Sequence, residues 1–151
     1  MINLEAIDIK NFLPHREPFL MVDKVLELSE DFVVTSFEIK STCILIEDNN
    51  FNEVGLIENA AQTCSSIVGK SYFDDDDIEG KGTKLIGFIS TIKKVAILNT
   101  PKVGETIITK ASLKSRFDSE AYSISTLECV TYIKNKEIAS CEMNLFIQEV
   151  K

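Results

Sequence analysis

The sequence predicts an α+β protein in which one antiparallel sheet covers one long helix. Three observations lead there. A single segment, residues 52–73, carries sustained helical periodicity. Everything after residue 84 reads as β, in runs of strand length separated by short turns. Helix and strand do not alternate in the βαβ rhythm that a parallel sheet requires. At 151 residues the chain is expected to form one domain, residues 1–151.

Residues 4–12, LEAIDIKNF, place Leu4, Ile7 and Phe12 at roughly helical spacing and predict a short helix stopped by Pro14. FLMVDKVLEL (19–28) suits a strand that begins buried and becomes half exposed. DFVVTSFEIK (31–40) alternates after Val34, and Ser29-Glu30-Asp31 between the two runs predicts a hairpin turn. In the helix, Val54, Ile57, Ala61, Cys64 and Val68 recur at three- and four-residue steps as one apolar stripe. Asn52 suits its cap and Glu53 its positive end. The many small side chains of this helix allow close approach from several sides. DDDDIEGKG (74–82) reads as a solvated acidic loop. Strands are then predicted over 84–98, 105–117, 121–133 and 137–150, with NTPKVGE, DSE and KNK as turns, so the last three form a meander.

Composition excludes several function classes. The net charge of −8 argues against nucleic-acid binding, because phosphate affinity comes from Lys and Arg. GKGTK (80–84) lacks the spacing of a phosphate loop. Cys43, Cys64, Cys129 and Cys141 are dispersed, without a CxxC pair and with one histidine in the whole chain, so no metal site is expected and free thiols in a reducing cytoplasm are. No apolar run is long enough to span a membrane, and the N-terminus does not read as a signal peptide.

Three stretches resemble one family, the 3-hydroxyacyl-acyl carrier protein dehydratases of the hotdog fold. LPHREPFLMVDKVLEL (13–28) is close to the family's Leu-Pro-His-Arg-x-Pro-Phe-Leu-x-Val-Asp opening. GLIENAAQT (55–63) resembles its central-helix motif Leu-Ile-Glu-x-x-Ala-Gln. GFISTIKKVAILNTPKVGET (87–106) resembles its third strand and following turn. The resemblance implies a hotdog fold, with the sheet wrapped around the central helix. It also implies a dimer, homodimer or hotdog heterodimer, acting without a cofactor on a 3-hydroxyacyl group. That group is held on the phosphopantetheine of an acyl carrier protein. In the family a histidine from one subunit removes the C2 proton of the thioester. An acidic residue on the partner's central helix helps the 3-hydroxyl leave as water. A base of near-neutral pKa and a stabilised enolate are what such a weakly acidic C–H demands.

Glu58 matches the family's acid, and Gln62, one turn later, matches its glutamine. The family's Gly-His-Phe-Pro-Gly loop has no match: TCILIEDNNFNEVG (42–55) contains no histidine. In this respect the chain resembles a divergent branch associated with aryl-polyene and flexirubin pigment pathways. That branch keeps the Leu-Pro-His-Arg and Glu-x-x-Ala-Gln words. His15 is therefore either a relocated base or a residue that shapes the turn between Pro14 and Pro18. Glu58 lies beside the apolar stripe of a helix expected to be wrapped, where an unpaired carboxylate is costly. Gln62, Phe19, Phe51, Gly87 and Phe88 are the candidate substrate-binding residues, the phenylalanines serving as tunnel wall or core. Arg16 and Asp23 are a candidate ion pair, and Arg16, Lys93, Lys94 and Lys102 are candidates for docking an acidic carrier. Two other readings stand beside the dehydratase. One is a non-catalytic hotdog subunit that binds an acyl chain or carrier protein, or completes a partner's site. The other is a hotdog thioesterase using Glu58.

Overall fold

Order in the chain runs α1 (Ile9–Phe12), β1 (Lys24–Leu28), β2 (Phe32–Glu38), β3 (Ile46–Glu47), β4 (Asn50–Phe51), α2 (Glu53–Tyr72), then β5 (Leu85–Ile97), β6 (Thr106–Asp118), β7 (Ser123–Ile133) and β8 (Lys136–Glu149). This computed structural model describes residue 4 and residues 8–72 and 85–149. The predicted loop 74–82 and residues 5–7 of the predicted 4–12 helix lie outside the described residues. Six strands form one antiparallel sheet in the order β1-β2-β6-β7-β8-β5, and β3-β4 form a separate pair.

Local chemistry accounts for most joints. The β1–β2 turn is closed by Ser29, whose hydroxyl accepts from the N–H groups of Asp31 and Phe32 at 3.1 and 3.0 Å. The β7–β8 turn uses Lys134 and Asn135, both at positive φ, as a two-residue primed hairpin requires. Gly104, at φ 97°, lets the chain turn into β6, and its N–H reaches Ile39 O at 2.7 Å. Asn52 caps α2 as predicted, its Oδ1 accepting from Gly55 N–H at 2.9 Å.

The first predicted strand is corrected in extent: Phe19 still belongs to the preceding turn, residues 20–22 lie outside the sheet, Asp23 N–H bonds Ser36 O at 2.9 Å, and β1 begins at Lys24. Arg16 and Asp23 do not pair with each other. Arg16 donates to the carbonyls of Leu13 and His15, and Asp23 accepts from Glu38 N–H at 2.8 Å.

The buried face of α2 also differs from the predicted stripe. Gly55, Leu56, Asn59, Ala60, Gln62, Thr63, Cys64, Ser66 and Ile67 are buried, whereas Val54 is 64 % exposed and Ile57 and Ala61 are half-buried. The sheet takes up a broad sector of the helix, and the polar members of that sector are bonded: Thr63 meets Thr35 at 2.8 Å, and Ser66 donates to Gln62 O at 3.1 Å. Cys64, Cys129 and Cys141 pack inside this core as free thiols, and the Cys141 thiol is pushed up by its hydrogen bond with Cys129 and then by burial. Such thiols behave as small apolar groups.

Phe51, expected as tunnel wall or core, is core. It is fully buried with Phe37, Met21, Leu56 and Ile138, its ring 5.8 Å from that of Phe37. A Cβ at Gly55 would meet the Phe51 ring at 2.5–2.9 Å. Gly55→Ala is therefore expected to lower stability by about 1–3 kcal/mol through overpacking. An unchanged denaturation midpoint would show that the ring yields freely.

Candidate active site

The segment where the family places its histidine loop is a small hairpin here. Asp48 and Asn49, both at positive φ, join β3 to β4, and Asn50 bridges to Lys102. Phe51 N–H bonds Pro101 O at 2.8 Å and ties the hairpin to the β5–β6 connection. The hairpin thus ends in buried Phe51, and the candidate groups come from elsewhere.

They come from α2 and from the approach to β1. Glu58 and Gln62 stand one turn apart on α2, and Gln62 Nε2 donates to Glu58 Oε1 at 2.9 Å. The same amide nitrogen donates to Phe19 O at 2.8 Å, and Gln62 Oε1 accepts from Met21 N–H at 2.6 Å. The residue 13–21 segment is thereby drawn across the helix. Its start is anchored by buried Leu13, and its turn is closed by the N–H groups of Phe19 and Leu20 on Arg16 O at 2.8 and 3.1 Å. This brings His15 Nε2 to 3.9 Å from Glu58 Oε1, an ion-pair separation longer than a hydrogen bond. The side chains are 29 % and 34 % exposed, so the pair lies near the surface rather than inside the core. His15 Nδ1 is shielded from solvent and has no hydrogen-bond partner among the described residues.

Three predicted site residues therefore come together, His15, Glu58 and Gln62, with Phe19 joining through its carbonyl while its ring is exposed. Gly87 and Phe88 lie on the edge strand β5. Gly87 pairs with Ile147, on the face that packs on α2. Phe88 is corrected. It pairs with Phe146, which stacks on Tyr122 at 5.1 Å on the opposite face of the sheet, so its side chain points away from the helix. Sequence reasoning missed Asn59. It is fully buried, and the one available signal was a carboxamide set among Leu56, Ala60 and Thr63 on the side of α2 that meets the sheet.

A six-stranded antiparallel sheet around one carboxylate-bearing helix defines a hotdog-fold protein. The same architecture is found in the dehydratase heterocomplex ApeI:P from Xenorhabdus doucetiae. That match has a TM-score of 0.76 at 14% identity, over 96% of this chain and 92% of that one. The chain belongs to the ApeP-like dehydratase family, whose model, described as ApeP dehydratase, matches residues 7–150. Among curated proteins, the 3-hydroxyacyl-[acyl-carrier-protein] dehydratase FabZ of Thermotoga neapolitana is 32% identical over 126 residues, 70% of this chain and 91% of that protein. FabZ of Teredinibacter turnerae is 39% identical over 70 residues, 42% of this chain and about half of that protein, 48%.

Proposed function

We propose that this chain dehydrates a 3-hydroxyacyl thioester carried on an acyl carrier protein to the trans-2-enoyl form, in fatty-acid or polyene-type biosynthesis. The observation that carries the proposal is the approach of His15 to Glu58 within one chain, with Gln62 bonded to the carboxylate. In this reading His15 takes the C2 proton and Glu58 passes a proton to the departing 3-hydroxyl, which leaves as water. The proton taken by His15 then returns to Glu58 through solvent at this partly exposed site, which resets it. In this reading a pair in cis takes the place of the family's division of the pair between two subunits.

The second reading, a subunit that completes a partner's site, is favoured by what is left open. Among the described residues β5 is paired only with β8, and Ile86, Phe88, Ile92 and Val95 along it, with Leu98 just after it, are exposed. Val54, one turn before Glu58, is exposed, and Ile57 and Ala61 are only half-buried against the chain's own core. We place a second hotdog chain, identical or related, on that edge, where it would also shield the exposed side of the His15–Glu58 pair. Of the candidate carrier-docking cations, Lys94 is engaged by Glu142 at 3.1 Å, and that bond holds the Glu142 carboxyl below its usual range. Arg16, Lys93 and Lys102 are exposed and supply the positive charge that an acidic carrier needs.

The test is conversion of a 3-hydroxyacyl-carrier protein under single-turnover conditions, with the purified chain alone and with a related hotdog chain added. Turnover by the chain alone supports the cis pair. Turnover only after addition supports the subunit reading, and none in either case overturns both.

A further inference from the structure

Both ends of the buried Asn59 carboxamide are in use. Nδ2 donates to Met21 O at 2.7 Å, and Oδ1 accepts from the Thr109 hydroxyl at 2.7 Å, which lies 3.1 Å from the Thr131 hydroxyl. One turn on, Gln62 accepts from Met21 N–H. Met21 precedes β1, in a stretch outside any strand, and its N–H and C=O are both taken by helix side chains where a strand would ordinarily take them. A single hydrogen bond is a pivot about which the segment can rotate. Two bonds on opposite sides of one residue fix both its position along the helix and its orientation.

The consequence reaches His15. The chain between His15 and Met21 is short and closed on itself by Arg16 O, so a shift at Met21 is passed to the imidazole. On the other side, Thr109 and Thr131 lie on neighbouring strands and orient the Asn59 amide from within the sheet. We infer that Asn59 is a positioning residue, which sets the separation of His15 and Glu58 by clamping Met21 to α2. This rests on the cis pair proposed above. Asn59 is fully buried and acts through Met21, not on the substrate.

His15 is the one histidine of the chain, so its imidazole gives one Cε1–H resonance in NMR spectra of the full-length protein. Glu58→Ala is expected to move that resonance. Asn59→Ala is expected to move it in the same direction and to lower kcat by about 10²-fold, the scale of a displacement near 1 Å, with KM little changed. Thr131→Val, at the far end of the network, is expected to lower Tm and leave the resonance in place. Folded Asn59→Ala with the resonance at its wild-type position overturns the inference, because a purely structural role costs stability alone. Where Asn59→Ala does not fold, Thr109→Val provides the test, since it frees Asn59 Oδ1 and should move the resonance too; an unmoved resonance there overturns the inference equally. If Glu58→Ala leaves the resonance unmoved while Asn59→Ala moves it, the cis pair itself fails, separately from the clamp.

Discussion

Replacing His15 by Ala is expected to lower single-turnover dehydration by about 10²–10⁴-fold, the range a positioned acid or base supplies. Glu58→Gln should cost a similar factor. The double variant should fall little further than either single one, since groups that act as a unit lose their function together. Both side chains are partly exposed and neither belongs to a core cluster, so folding and oligomeric state should survive the substitutions. That separation makes the rates interpretable. Loss with Glu58→Gln alone would return His15 to the turn between Pro14 and Pro18 and assign the base to another chain. Loss with neither would remove the pair from the chemistry.

The second large effect concerns the edge strand. Ile92 pairs with Met143 on the helix-facing side of the sheet, yet it is 45 % exposed because nothing among the described residues lies beyond β5. Long, apolar, unpaired edges are where another strand adds. Ile92→Asp would bury an unpaired carboxylate in such a joint, and a penalty of about 3 kcal/mol weakens association by more than about 10²-fold. The expected result is a monomer by size-exclusion chromatography with light scattering, with an unchanged circular dichroism spectrum and little remaining turnover. An unchanged oligomer would place the subunit contact elsewhere. A wild-type protein that is already monomeric, and active as such, would show that the pair works unshielded.

Much of this molecule is local in origin and was legible as such. The helix over 52–73 and its Asn52 cap, the Ser29 turn, and the last three strands as a meander follow from residue types and periodicity, and the structure places them within a few residues of the prediction. Glu58 and Gln62 share a helix face because four residues are about one turn. The faces of elements were less legible. Val54 and Asn59 exchanged the places hydropathy assigns them, since the sheet surrounds α2 more widely than one stripe. A buried Asn is tolerated where Met21 and Thr109 satisfy it. Phe51 and Phe88 are both apolar aromatics in matched motifs, and neither type nor motif distinguishes core from outer face. For Phe88 that depends on its register with Phe146 across β5 and β8.

Residue types and periodicity established the α+β class, and the resemblance to the dehydratases singled out Glu58, Gln62 and the histidine-free stretch 42–55 as candidates. Each of these is written in one local stretch of the chain. Only the tertiary structure decided that His15 meets Glu58 in the same chain, that Met21 is clamped between Asn59 and Gln62, and that β5 is left as an open edge. The physical reason is common to all three. Each depends on contacts between segments distant in sequence, fixed by hydrogen bonds and strand order that no local pattern encodes.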